Sequence, residues 1–248
     1  MKARRNKVVK FGSAMLYALE SKSVIKTHLG QIYNEMCVVR GRVPVVQMKK
    51  LVDKPREIRL YDFLPEDGNV TALELLCLCL LARRDSVRVI LELGTYNGNT
   101  ALQLAANADE SAIVITVDLP PGAEAPQEAD TYDSGCVDSV HRGQLRFAGT
   151  EMEQRIRTVA GNTLELDFAS VCRLEKPDLI FVDAGHSYEC VRNDSEKSLG
   201  VLAPGGTIVW HDYSQTWPGV YNYLNELAQT LPLVNIAGTS LVVYSSSR

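Results

Sequence analysis

From Thr71 onward the chain repeats one unit: a short apolar run, a stop at a glycine or an acid, then a stretch with helical spacing. The apolar runs are Val87–Leu93, Ala112–Asp118, Ile156–Ala160, Asp178–Asp183 and Thr207–Trp210. Runs this short, apolar throughout and closed by a turn signal, read as buried parallel strands. Helices are expected between them, over 71–84, 99–106, 164–174, 188–202 and 220–231. Thr71-Ala72-Leu73-Glu74 opens the first with a capping box. Two late strands, Leu233–Ile236 and Ser240–Tyr244, flank Gly238 and read as a hairpin. Alternating strand and helix imply an α/β fold with a doubly wound, mostly parallel sheet. In such sheets ligands bind at the carboxyl ends of the strands, near the switch point, so those tips are where chemistry is sought.

Residues 1–70 lack this rhythm. Lys7 to Lys54 is weakly helical, punctuated by Pro44 and Pro55, and reads as an extension packed on a core domain of residues 71–248. Leu119 to Gly149 breaks the pattern with Pro120, Pro121 and Pro126, and a loop of that length is either a lid or a passive insertion. The formal net charge of −4 argues against a general polyanion binder, although Met1–Lys10 is basic and reads as a solvated terminus. No apolar run reaches the roughly 18 residues of a membrane span, and no apolar segment follows the basic start as a secretion signal would require. Cys37, Cys77, Cys79, Cys136, Cys172 and Cys190 show no C-x-x-C pair, and several lie in apolar runs. Core thiols of this kind suit a reducing cytoplasm.

The strand tips carry the candidate chemistry. The first ends Glu92-Leu93-Gly94-Thr95-Tyr96-Asn97-Gly98-Asn99-Thr100. Gly94 permits a tight turn, Gly98 a close approach, and the following helix N-terminus offers free N–H groups to an anion. Glu92 is placed to accept from a ligand ammonium. The glycine spacing is not that of the dinucleotide fingerprint. Asp118, one unit later, can accept from a ribose diol. Asn162 and Thr163 follow the third strand and can meet an adenine edge, or Thr163 can cap the helix expected at Leu164. The fourth and fifth strands end Asp183-Ala184-Gly185-His186 and Trp210-His211-Asp212-Tyr213. They bring carboxylates and imidazoles to one sheet edge, where a histidine can take a proton near neutral pH. Asp183, His211 and Asp212 can instead hold Mg²⁺ or Mn²⁺, or form a hydrogen-bonded cluster without metal. Trp210, Tyr213 and Trp217 are candidates for a substrate wall.

The ordered set E-L-G-x-Y-x-G, Asp118, G-N-T, F-V-D-A-G-H-S-Y-E and P-G-G-T-I-V-W-H-D-Y resembles class I S-adenosylmethionine-dependent methyltransferases. It looks most like the small-molecule O-methyltransferases found beside sugar and polysaccharide biosynthesis (methyltransferase domain family 24), and it covers about Thr71 to Tyr244. Catechol O-methyltransferase is a more distant relative. The resemblance implies a seven-stranded sheet with an antiparallel last strand. It implies a methionine site lined by Glu92, Gly94, Tyr96, Gly98 and Thr100, with Asp183 close by, Asp118 on the ribose, and Asn162 and Thr163 near the adenine. His186 stands where that relative has a lysine base. Asp183 matches its metal-binding aspartate, and His211-Asp212 its Asp-Asn metal pair, so the metal set is altered here. The implied reaction is methyl transfer to a hydroxyl, with His186, Asp183 and Asp212 as catalytic residues.

Two alternatives remain beside it: a nucleotide-cofactor oxidoreductase, and a non-catalytic partner that binds S-adenosylmethionine. The expected partner is a small-molecule hydroxyl substrate, with no nucleic acid and no membrane span; a homo-oligomer is allowed.

Overall fold

The computed structural model describes residues 43–52, 54–62, 68–120, 122–123 and 144–246. In chain order the elements are β1 (Val45–Val46), α1 (Ala72–Ala82), β2 (Val89–Leu93), α2 (Asn99–Asn107), β3 (Ile113–Asp118) and β4 (Ile156–Ala160). Then come α3 (Phe168–Val171), β5 (Leu179–Val182), α4 (Tyr188–Val201), β6 (Thr207–Trp210), α5 (Pro218–Leu227), β7 (Val234–Ile236) and β8 (Val242–Ser245). The sheet runs β1-β7-β8-β6-β5-β2-β3-β4. β8 pairs antiparallel with both β6 and β7, and every other pairing is parallel. β2 lies between β3 and β5, so the winding reverses there and the switch point falls beside Gly94.

Strand alternation splits the core into two layers. Ile90, Val114, Phe181 and Val209 pack on one face with Leu75, Leu78 and Leu81 of α1 and Leu104 of α2. Leu91, Ile115, Ile180 and Ile208 pack on the other with Phe168, Val191, Tyr223 and Leu224. The capping box forms: Glu74 N–H donates to Thr71 Oγ1 at 3.4 Å, and Thr71 N–H donates to Glu74 Oε2 at 2.9 Å. Cys77, Cys79, Cys172 and Cys190 are buried, while Cys37 and Cys136 lie outside the described residues. Among the described residues, no helix is long and apolar enough to cross a membrane.

Three expectations change. The sheet has eight strands rather than seven, because Val45 and Val46 add β1 to its edge, parallel to β7. The described part of the weakly helical stretch is therefore a strand followed by a 3-10 turn at Met48–Lys50; the rest lies outside the described residues. The helix expected over 164–174 is only α3. Asn162 Oδ1 instead accepts from Leu164 N–H, so Thr163 caps nothing; Asp167 is the cap, and Arg173 and Leu174 enter left-handed backbone that ends the turn. Most of the 119–149 loop also lies outside the described residues. Its end is held where Arg146 N–H donates to Asn97 O.

Candidate active site

The β2 turn is built from main chain. Gly94 has φ +95°, and a Cβ there would sit 2.1 Å from the Asp183 carbonyl oxygen, so only glycine lets the β2 and β5 tips meet. Gly98 is the left-handed cap of α2, and the group that approaches it is the Phe147 ring. Tyr96 is also left-handed, at φ 48°. Asp118 holds this strained loop: its Oδ2 accepts from Thr95 N–H at 3.0 Å and Tyr96 N–H at 2.8 Å, and its Oδ1 from Leu119 N–H. The carboxylate thus shapes the turn. Thr100 is buried in the first turn of α2.

Glu92 is the next-to-last residue of β2 and is fully buried. Thr116 donates its hydroxyl to Glu92 Oε2 and also contacts Thr95 Oγ1 at 2.6 Å. Burial, opposed by the Thr116 bond and reinforced by Asp183 and Asp118, pushes Glu92 up to about 8. Its Oε1 has no hydrogen-bond partner, and neither has either side-chain atom of Asn99 at the start of α2. Buried polar groups are almost always paired. Orphans on both sides of a glycine turn fit a site that a polar, amine- and carboxylate-bearing ligand completes, as S-adenosylmethionine would. Sequence reading passed over Asn99, although its place beside Gly98 was on view.

Farther along the edge, the Thr163 carbonyl accepts from Asn193 Nδ2 and Lys197 Nζ, and Asn193 Nδ2 also donates to buried Asp194 Oδ1. The 162–163 tip is therefore anchored on α4.

The β5 and β6 tips are built from side chains. His186 Nε2 lies 3.0 Å from Asp212 Oδ2, and the His186 ring stacks on Trp217 with centroids 4.2 Å apart. Asp212 takes φ 58°, a left-handed conformation that aspartate tolerates better than most residues. His211 Nδ1 lies 3.0 Å from Asp183 Oδ1 and 3.3 Å from Asp212 Oδ2, and its Nε2 lies 3.4 Å from Glu74 Oε2. Burial disfavours a charged His211, but Asp183, Asp212 and Glu74 outweigh it and raise its pKa well above the usual value. Burial raises Asp183 despite His211, whereas His211 and His186 hold Asp212 well below the usual carboxylate range.

Of the metal set expected from sequence, Asp183 and Asp212 converge, with His186 as their third member and not His211. Asp183, His186 and Asp212 offer ligand atoms within 4.8 Å of one another, and His211 has both nitrogens on carboxylates. The aromatic wall also contracts. Trp210 is core and donates Nε1–H to Ser195 Oγ; Tyr213 is core and donates to Asn225 Oδ1; Trp217 alone of the three touches the site.

Residues 91–213 match a family model described as a methyltransferase domain. A curated protein of Mycolicibacterium vanbaalenii named "Putative O-methyltransferase" is 25% identical over 134 residues, 54% of this chain and 51% of that one. The match thus spans about half the length of that relative. Among solved structures, the O-methyltransferase of Bacillus cereus in complex with SAH is 18% identical, covers 74% of this chain and 84% of its own, and has a TM-score of 0.51. A TDP-rhamnose 3'-O-methyltransferase of calicheamicin biosynthesis is 19% identical, with 70% and 79% covered and a TM-score of 0.50. At these identities the structures speak for the fold.

Proposed function

We propose that the chain is a class I S-adenosylmethionine-dependent O-methyltransferase that methylates a hydroxyl oxygen of a small molecule with His186 as general base. The observation that carries this reading is the His186–Asp212 pair, 3.0 Å apart and backed by Trp217, on the same sheet edge as the glycine turn. Asp212 faces Nε2, so the neutral ring donates Nε2–H to the carboxylate and Nδ1 is the basic nitrogen that would take the hydroxyl proton. The imidazolium then formed is stabilised by Asp212. Asp183 and the Gly94 turn fix the distance between this pair and the cofactor side, where positioning supplies much of the rate. Bound S-adenosylmethionine supplies an electrophilic methyl group. Glu92, Gly94, Tyr96, Gly98, Asn99 and Thr100 would form its amino-acid end, Asp118 its ribose partner, and Asn162 and Thr163 the adenine side.

A sugar hydroxyl is the acceptor class we favour. It draws support from Trp217, whose ring is half-buried beside the base, and from the calicheamicin enzyme's acceptor. The proposal includes a reducing cytoplasm, to which buried thiols such as Cys77 and Cys79 are suited. It also keeps residues 1–70 as an extension: Arg59 and Tyr61 main-chain groups bond to the side chains of Asn107 and Gln103 on α2.

A second reading is favoured by the convergence of Asp183, His186 and Asp212. These residues would hold a divalent cation, which polarises the acceptor oxygen, and His186 would then be a ligand and not a base. Calorimetric titration with S-adenosylmethionine, with NAD as control and before and after EDTA, comes first; turnover over a panel of hydroxyl acceptors follows. Saturable S-adenosylmethionine binding and EDTA-insensitive turnover support the base reading. Loss of turnover with EDTA, restored by Mg²⁺ or Mn²⁺, selects the metal. Binding without turnover on any acceptor favours a non-catalytic partner, and NAD binding alone an oxidoreductase.

A further inference from the structure

We propose that Glu74, the capping-box glutamate of α1, is a positioning residue of this active site, because its buried carboxylate holds both His211 and the segment that carries Asp212. The inference rests on the methyl-transfer reading above. A capping box needs only the Thr71 exchange. Glu74 makes that exchange and then continues. Its Oε1 accepts from the Ser240 N–H and hydroxyl, each at 2.8 Å, and its Oε2 lies 3.4 Å from His211 Nε2. Its side chain is almost wholly buried.

Two routes lead from this carboxylate to the reacting groups. Through the His211 ring it reaches Asp183 and Asp212, both on Nδ1. A carboxylate on Nε2 fixes a proton there and fixes the ring plane, so the geometry of Nδ1 toward the two aspartates is set from behind. Through Ser240 it reaches the Asp212 main chain: Asp212 N–H donates to Ser240 Oγ at 3.2 Å, and Tyr213 N–H donates to Ser240 O. This second route bears on the one site residue of the β6 tip in left-handed backbone. Asp212 in turn orients His186. Glu74 touches neither base nor acceptor, so its expected effect is on the chemical step and not on cofactor affinity.

Glu74→Gln, made in the full chain, keeps the shape and the acceptor toward Ser240 but offers His211 no carboxylate. The expected result is a 10- to 100-fold fall in kcat, with KM and Kd for S-adenosylmethionine within twofold of wild type. In proton NMR, a slowly exchanging His211 Nε2–H signal is expected in wild type and is lost in the variant. Asp167→Ala, which removes the cap of α3 away from the site, controls for cap loss and should leave kcat unchanged. If Glu74→Gln lowers only the melting temperature, as Asp167→Ala does, Glu74 is a cap and the proposal falls. If Glu74→Gln does not fold, Glu74→Asp retains the charge with shorter reach; a folded Glu74→Asp with wild-type kcat also overturns the proposal. If wild type binds S-adenosylmethionine but methylates no hydroxyl, the functional reading has failed, and the His211 signal still reports whether Glu74 holds the ring.

Discussion

On the β2–β3 side of the sheet edge the main chain makes the site; on the β5–β6 side the side chains do. Asp118 gathers two amides of a turn whose shape glycine permits, and the amide of Leu119 beside it. Asp183, His186, His211, Asp212 and Glu74 instead hold one another. A main-chain site tolerates little at its few special positions and is indifferent elsewhere. A side-chain site spreads its dependence over several residues and tunes protonation. The first suits an invariant ligand part, the second a reaction.

The largest expected effect falls on the main-chain half. Gly94→Ala forces a Cβ against the Asp183 carbonyl in left-handed backbone and should cost more than about 3 kcal/mol, read by denaturant unfolding. A stable, cofactor-binding Gly94→Ala protein would break the contrast. On the other half, His186→Ala should lower kcat about 10²- to 10⁴-fold while calorimetry finds S-adenosylmethionine binding intact; unchanged turnover removes His186 as base. Asp118→Asn weakens bonds to a charged acceptor, each worth about 1.5–3 kcal/mol. It should raise the Kd for S-adenosylmethionine about tenfold or more and leave kcat at saturation nearly unchanged.

The smallest effect tests the support behind Thr163. Burial raises Asp194 to about 6 from 3.8, against the nearby Thr163 hydroxyl and the Asn193 amide bond. The folded protein therefore holds this proton more tightly than the unfolded chain. Stability is highest below the lower value and falls as pH rises through the upper one, by at most about 3 kcal/mol. Asp194→Asn should flatten melting temperature between pH 4 and pH 7. An unchanged profile would assign the slope to other groups.

The same contrast decides what sequence could reveal. The β2 turn, Asp118 and the order of the tips are local patterns, and strands such as Ile156–Ala160 and Thr207–Trp210 lie where their apolar runs do. The side-chain half was legible only as residues on a shared edge. Which histidine meets which carboxylate depends on rotamers and on the β6 tip, which no local pattern carries. Glu74 read as a cap because Thr71 accounts for it locally; its bond to His211 spans 137 residues, with no periodicity to betray it. Val45–Val46 is too short to show strand alternation. The 164–174 segment has apolar residues at helical spacing, but Asn162 and Asp167 each capture nearby amides, and two left-handed residues close it.

The pairing of β1 with β7 joins Val45 to Asn235 and Val46 to Ile236, and Glu74 awaits Ser240 in the same way. During synthesis the first strand has no neighbour until nearly the last one leaves the ribosome. Contacts so distant in sequence close the largest loops and form slowly. A nascent chain that has made β2 to β6 already contains the glycine turn and Asp118, yet lacks Ser240, which holds Glu74 and the Asp212 main chain. The ligand-binding half is thus expected to mature before the half that does chemistry, and a ligand present early would meet a receptor before it meets an enzyme.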